Sequence, residues 1–277
     1  MSDSTRLAVL IDADNTSASH ASAILEEVAR YGVPTVKRAY GDWTTQNLVR
    51  WKDELHRHAV QPVQQFAYTT GKNSTDSALI IDAMDLLYSD NVDGFAIVSS
   101  DSDFTRLATR LRESGKIVYG LGRRRTPPSL VAACDRFIYL EVLGRDSEAT
   151  ETADEPDDDQ VGAPLPDLGS MLVAAIDSTS HDDGWTSLSA VGSHISRNNP
   201  SFDPRNYGFP KLVELVRAQE YVDVDQSPDA PVRVRLTSSR PAKKTPARRS
   251  SAAKKAEPEK TGSARASGRK TAARKGG

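Results

Sequence analysis

Residues 6–15 read RLAVLIDADN, and this stretch decides the fold class. Its first half is an unbroken apolar run, which is typical of a strand that is buried on both faces in a parallel sheet. Acidic residues follow the run at once, where a strand gives way to a loop. The arrangement returns at residues 94–103, GFAIVSSDSD, where a second apolar run ends in two acids. We therefore expect a parallel sheet whose strands end in carboxylates.

Strand-like and helix-like segments alternate through the first part of the chain. The helical patterns at 21–32 and 103–115 each follow a strand-like run and end at a glycine. A further helix is expected over 44–59 and a last strand over 136–143. This alternation predicts an α/β fold, a doubly wound parallel sheet with helices on both faces. We assign this domain to residues 1–143.

The composition changes after this domain. Residues 144–166 are strongly acidic, lack aromatic side chains and contain three prolines, which is typical of a disordered linker. Residues 167–238 contain three helical patterns and then two short strand patterns, which together indicate a small winged-helix domain of the α+β class. Residues 239–277 are rich in Ala, Lys, Arg and Ser, and we expect this tail to be disordered.

The charge of the chain is distributed unevenly. The 277 residues have a formal net charge of −2. Residues 146–160 carry 8 acidic and no basic side chains, whereas residues 240–277 carry 13 basic and 2 acidic ones. Such a tail is expected to bind RNA or DNA without sequence preference, because each neutralised phosphate releases counterions.

Several protein classes are excluded by sequence pattern. No run of about 18 apolar residues could span a bilayer, and the N-terminal sequence lacks the features of a signal peptide. We therefore expect no membrane association and a cytosolic location. The single cysteine, Cys134, and five scattered histidines provide no zinc-ligand spacing.

Acidic side chains are expected to converge at the carboxyl edge of the sheet. Asp12 ends the first strand, Asp101 and Asp103 follow a later apolar strand, and Asp76 opens the third helical segment. Neighbouring parallel strands lie about 4.8 Å apart, so these groups can approach within several ångströms. Oxygen ligands without His or Cys select a hard cation, so we expect Mg²⁺ or Mn²⁺. All four acids are predicted to be catalytic and to bind the metal.

Polar residues near these acids are predicted to support the same chemistry. A metal-bound water can attack a phosphodiester, and Asn15 and Ser100 are placed to form supporting hydrogen bonds. The candidate substrate contacts are Ser100, Lys72, Asn73, Arg123, Arg124 and Arg125. Asp and Asn are also ordinary turn and capping residues, and an arginine run can be a solvated loop. The presence of three acidic clusters at strand ends favours a functional site.

The segments LIDADN at 10–15, GKNSTD at 71–76 and VSSDSDF at 98–104 together resemble the NYN family of PIN-like nucleases. The resemblance covers residues 6–143. It implies a metal-dependent ribonuclease in which the four acids hold the metal, and cleavage that leaves a 5′-phosphate and a 3′-hydroxyl. RNA, single-stranded or structured, is then the expected partner.

The second domain resembles the LOTUS domain, also called OST-HTH, which is an RNA-binding winged helix. The resemblance rests on GW at 184–185 and on FDPRNYGFPKLVELV at 202–216. A contact surface could be formed by Arg197, Arg205 and Lys211 together with Tyr207 and Trp185, although the two aromatic residues are more often core anchors in so small a domain. The expected core anchors are Trp185, Tyr207 and Phe209.

Two other functions fit parts of the sequence. The segment DADNT at 12–16 matches the DxDxT loop of haloacid-dehalogenase-type phosphatases, in which the second acid, here Asp14, acts as acid and base. No segment resembles a cap domain, and Asp76 has no place in that scheme. A non-catalytic RNA-binding adaptor would use the same fold without productive metal binding. The sequence leaves the RNA target, endo- or exonuclease action and the oligomeric state open.

Overall fold

The computed structural model describes residues 4–66, 74–143, 165–227 and 230–237. The strands of its N-terminal part are β1 (Arg6–Asp12), β2 (Val33–Gly41), β3 (Gln61–Gln64), β4 (Gly94–Val98), β5 (Ile117–Gly122) and β6 (Arg136–Tyr139). They form one sheet in the order β3-β2-β1-β4-β5-β6, and all neighbours are parallel. The α/β fold class predicted from the sequence is confirmed.

Helices cover both faces of this sheet. They are α1 (Ala21–Ala29), α2 (Trp51–His58), α3 (Ser74–Ser89), α4 (Thr105–Glu113) and α5 (Pro128–Ala133). Alternate residues of β1 divide the core: Leu7, Val9 and Ile11 pack with α1 and α2, whereas Ala8 and Leu10 pack with α3 and α4. A strand covered on both faces must be apolar throughout, which explains the continuous run at the start of the sequence.

The strand order reverses between β1 and β4. The chain builds outward to β2 and β3 on one side and to β5 and β6 on the other. The loops that follow β1 and β4 therefore run in opposite directions, which leaves a crevice between them at the carboxyl edge of the sheet. Asp12 ends β1 at this point, and Ser99 continues β4 beside it, since Ile11 pairs with Val98.

Two boundaries differ from those expected. The helix expected over 44–59 begins only at Trp51, because a turn made by Asp42 with Thr44 and Thr45 and then a 3-10 helix, Gln46–Leu48, occupy the first part of the segment. The strand expected over 136–143 ends at Tyr139, because its partner β5 ends at the same level. Short 3-10 helices are found in both remaining segments.

A second, smaller set of elements follows. Its helices are α6 (Leu168–Thr179), α7 (Leu188–Asn198) and α8 (Leu212–Arg217), and its strands are β7 (Thr186–Ser187), β8 (Val222–Asp225) and β9 (Arg233–Leu236). The strands form an antiparallel sheet in the order β7-β9-β8. The small α+β domain expected from the sequence is confirmed. The two-residue strand β7 was not expected, because it is too short to give a periodic pattern.

The expected core anchors of this domain behave differently from one another. Tyr207 and Phe209 pack against its apolar core. Trp185 instead lies against the guanidinium groups of Arg233 and Arg235, which are 5.4 and 4.7 Å from the ring centre. Two long cationic side chains of β9 thus cover the ring of Trp185, and its expected role as a core anchor is not confirmed.

Within the part of the chain that is described, no helix is both long and apolar enough to cross a membrane. The cytosolic location stays a prediction. All but the last two residues of the expected linker 144–166, and the whole tail 239–277, lie outside the described residues.

Candidate functional site

Three carboxylates converge at the carboxyl edge of the six-stranded sheet. Asp76 lies in the first turn of α3, and Asp101 and Asp103 follow β4. One carboxylate oxygen from each residue lies within 4.8 Å of the other two. Asp76 and Asp101 are half-buried and Asp103 is exposed, so a bound ion would be accessible from solvent. The group offers only oxygen donors, which fits a hard cation such as Mg²⁺ or Mn²⁺.

The loop after β4 is shaped by Asp101. This residue caps the 3-10 helix Ser102–Phe104, and its Oδ1 accepts the backbone N–H of Asp103 at 2.9 Å. Its own N–H donates to Ser99 Oγ at 3.1 Å. The cap engages one oxygen of Asp101, so the other oxygen can serve a cation. A capping role and a ligand role are therefore compatible at this position.

Asp12 lies beneath the three carboxylates, and none of its surface is exposed. Its Oδ2 accepts hydrogen bonds from Asn15 Nδ2 and Ser99 Oγ, both at 2.8 Å. Burial raises the pKa of Asp12 above its ordinary value, although these hydrogen bonds act in the opposite direction. The alternation along β1 directs Asp12 to the same face as Leu10, which is the face covered by α3. This is why Asp12 and Asp76 approach each other.

The pKa of Asp76 is raised to about 6. Burial is the largest cause, and repulsion by Asp12, Asp101 and Asp103 adds to it. Like charges at this spacing disfavour one another's ionised form, and a divalent cation between them would remove the repulsion. The electrostatics of the site thus agree with its donor set in favouring a cation.

Asp14 has a different contact. Its Oδ2 accepts a hydrogen bond from Thr75 Oγ1 at 2.8 Å. This bond ties the loop after β1 to the first turn of α3 and so helps to position Asp76, the next residue. The contact engages one oxygen of Asp14, whose side chain is exposed, and gives this residue a positioning role.

The arginine run lies at the same edge of the sheet. The backbone N–H of Arg123 donates to Ser100 Oγ at 2.8 Å, which connects the loop after β5 to the loop after β4. Arg123 and Arg124 are half-buried, and Arg125 is exposed. Ser100 therefore supports the site by accepting from the Arg123 backbone, and its neighbour Ser99 donates to Asp12.

Two side chains at the site were missed in the sequence. Ser99 resembles its neighbour Ser100 in a one-dimensional pattern, and only the strand register places it beside Asp12. His20 ends the 3-10 helix Ala18–His20, and its pKa is lowered by burial and then by the charge of Arg123. Two candidates lie outside the described residues: Lys72 and Asn73.

Comparison with protein families agrees with this geometry. The family model of the NYN domain matches residues 6–141, and that of the OST-HTH/LOTUS domain matches residues 163–234. The chain contains an NYN domain followed by an OST-HTH/LOTUS domain. The two resemblances inferred from the sequence, and their order, are thereby confirmed. The three clustered carboxylates and Asp12 all belong to the NYN domain.

Solved structures resemble parts of the chain. A protein of unknown function from Vibrio parahaemolyticus is 19% identical, with a TM-score of 0.42, over 50% of this chain and 93% of that one. A solution structure from Chromobacterium violaceum is 38% identical, with a TM-score of 0.22, over 25% of this chain and 79% of its own. An uncharacterized protein from Nitrosomonas europaea is 24% identical, with a TM-score of 0.24, over 32% of this chain and 91% of its own. A search of curated proteins finds no match.

Proposed function

We propose that this chain is a metal-dependent ribonuclease that hydrolyses RNA phosphodiester bonds at the acidic site of its NYN domain. The observation that carries the proposal is the convergence of Asp76, Asp101 and Asp103 within 4.8 Å of one another. The site lies where the strand order of the sheet reverses, which is the usual place for ligands in such sheets. NYN domains are PIN-like nuclease domains and OST-HTH/LOTUS domains are associated with RNA, so both parts of the chain favour RNA as the substrate.

The proposed metal ligands are Asp76, Asp101 and Asp103. Asp12, which the sequence analysis also expected to bind the metal, is fully buried and takes a supporting role in this proposal. A bound Mg²⁺ or Mn²⁺ would supply an activated water and stabilise the charge that develops on the phosphate. Asp12 is closed off from solvent, so it acts by adding negative charge below Asp76 and by holding Asn15 and Ser99 in place. Cleavage is expected to leave a 5′-phosphate and a 3′-hydroxyl.

The proposed substrate contacts surround the acids. An acidic site repels the RNA backbone, and cationic side chains at the same edge of the sheet offset this repulsion. The hydroxyl of Ser100 accepts a hydrogen bond from the Arg123 backbone and can still donate its own proton to a phosphate oxygen. The proposed phosphate contacts are Arg123, Arg124, Arg125 and Ser100, together with Lys72 and Asn73 on sequence grounds alone.

One comparison tests the proposal. Purified wild type and the Asp12→Asn, Asp101→Asn double variant are incubated with single-stranded and structured RNAs, with and without Mn²⁺. The wild type should cleave RNA only with the metal, and the double variant should bind RNA but not cleave it. If neither protein binds metal or cleaves RNA, and both bind RNA equally, the chain is an RNA-binding adaptor.

Asp14 separates the nuclease from the phosphatase alternative. Its hydrogen bond to Thr75 gives it a supporting role, so Asp14→Asn should retain more nuclease activity than Asp12→Asn. A DxDxT phosphatase would lose nearly all activity after the Asp14 change. Parallel assays of both single variants with RNA and with a phosphomonoester distinguish the two reactions.

We also propose that the basic tail holds nucleic acid through charge alone. Residues 240–277 carry 13 basic and 2 acidic side chains. Their removal should weaken the affinity for RNA and reduce its dependence on salt, because fewer counterions are released on binding. Equal affinity and an equal salt dependence in the truncated chain would contradict this role.

A further inference from the structure

A buried ion pair joins the NYN and OST-HTH/LOTUS domains. Arg205 donates to both carboxylate oxygens of Glu27, with Nη1–Oε2 and Nη2–Oε1 distances of 2.9 and 2.8 Å. Glu27 lies on α1 of the NYN domain, and Arg205 lies in the 3-10 helix Pro204–Tyr207 of the other domain. The side chains are only 2% and 17% exposed. Paired contacts of this kind are strong and also fix orientation.

Neighbouring side chains satisfy the remaining charges. Arg205 also donates to Asp203 at 3.0 and 2.8 Å, and Arg136 of the NYN domain lies 3.5 Å from the same carboxylate. The guanidinium of Arg136 lies over the ring of Tyr31, whose hydroxyl donates to Glu27 at 2.7 Å. Each buried charge therefore has an opposite partner, which is the condition under which burial of charge is tolerated.

A backbone hydrogen bond accompanies these charges. β6 is the last strand of the sheet, so one side of its backbone has no neighbouring strand. The N–H of Phe137 in β6 donates instead to the carbonyl of Pro200 at 2.8 Å. In addition, Leu165 packs against the apolar core of the NYN domain. An open sheet edge tends to be covered, and here the second domain covers it.

We propose that residues 200–207 form a docking surface whose partner is the β6 edge and α1 of the NYN domain in the same chain, and that the two domains move as one body. The described residues between 4 and 237 all belong to one compact unit, in agreement with this proposal. The sequence analysis named Arg205 as a member of a possible contact surface, and in the structure its guanidinium is paired with Glu27 and Asp203.

The position of the docking surface has a consequence for the acidic site. Glu27 lies in the last turn of α1, and Phe137 near the start of β6, so both are toward the amino edge of the sheet. The clustered carboxylates lie at the carboxyl edge. These contacts between the two domains therefore lie on the opposite edge of the sheet from the clustered carboxylates.

Hydrogen exchange of the Phe137 amide tests the docking in the full chain, because this amide is bonded to Pro200 and not to a strand. In the wild type it should be protected. Arg205→Met keeps an apolar stem but removes the charge, and should accelerate the exchange at least tenfold without changing the amides of β1. The matched control is Arg197→Met, since Arg197 donates to Ser193 within its own helix. This change should have no effect on Phe137.

A second variant, on the NYN side of the contact, distinguishes loss of docking from misfolding of the small domain. Glu27→Gln alters the same ion pair from within the NYN domain and should accelerate exchange at Phe137 in the same direction. If Phe137 exchanges as fast as a solvated amide in the wild type, or if neither variant changes its rate, the proposal is wrong. If the exchange of Phe137 is faster in Arg205→Met but not in Glu27→Gln, the effect comes from altered folding of the small domain, and the docking proposal is also wrong.

Discussion

The titration of Asp76 in the metal-free chain reports directly on whether the acids converge. Its pKa is raised to about 6, by burial first and then by the charges of Asp12, Asp101 and Asp103. Asp101→Asn keeps the size of the side chain and removes one of these charges. If the carboxylates lie as close together as the structure places them, this change must lower the pKa of Asp76.

The size of the decrease follows from the separation of the carboxylates. Their nearest oxygens lie within 4.8 Å. Two unit charges at that distance interact by about 1 kcal/mol in water and by about 3.5 kcal/mol at an effective dielectric constant of 20. These energies correspond to shifts of about 0.6 and 2.5 in the pKa of Asp76. The larger figure exceeds the whole rise from 3.8 to about 6, of which burial is the largest part. We therefore expect a decrease of about half a pH unit.

Carboxyl ¹³C chemical shifts of Asp76, followed by NMR without metal, measure this midpoint. Asp14→Asn is the matched control, because the charge of Asp14 is the smallest of the contributions to the pKa of Asp76. It should lower the midpoint by less than Asp101→Asn does. A wild-type midpoint near the ordinary value of 3.8 would refute the reasoning, and so would equal midpoints in the wild type and Asp101→Asn.

Two further predictions concern the buried charges. Ser99→Ala should lower the free energy of unfolding by about 1 to 3 kcal/mol, because it removes a donor from the buried carboxylate of Asp12. Chemical denaturation measures this loss, and an equal loss in Ser100→Ala would contradict the assignment. The second prediction concerns pH. Burial opposes the ionisation of Glu27 and Asp203, but the hydrogen bonds from Arg205 outweigh it and lower both pKa values. The contribution of both groups is therefore complete above their ordinary pKa values and is lost as the pH falls below them. The protection of the Phe137 amide, corrected for its intrinsic exchange rate, should be constant from about pH 7 to 5 and should fall below about pH 4. A decline between pH 7 and 5 would argue against this ion cluster.

The fold class could be predicted from the sequence because strands buried on both faces must be continuously apolar. β1 and β4 show this pattern clearly, and acids mark their ends. The boundaries were harder to predict, since they depend on partners. β6 ends where β5 ends, and a turn at Asp42 and a 3-10 helix precede α2. Neither limit can be read from periodicity.

The acidic site could be predicted only in part. Strand ends and helix starts identified the carboxylates, whereas the choice between Ser99 and Ser100 depends on strand register. The contact between domains could not be predicted, because Glu27 looks in sequence like an ordinary helix-surface acid. Arg30, three residues later, offers it a local partner, and Arg205 is 178 residues away. Contacts of such separation leave no local pattern.

The central claim is that the acidic site of the NYN domain cleaves RNA with a divalent metal. The most direct measurement is the cleavage of an end-labelled single-stranded RNA by the wild type and by Asp76→Asn, in Mn²⁺ and in EDTA, with the product ends identified. We predict cleavage by the wild type in Mn²⁺ alone, with 5′-phosphate and 3′-hydroxyl ends, and a rate at least about a hundredfold lower in Asp76→Asn. Equal cleavage in EDTA, or equal cleavage by the variant, would contradict the claim.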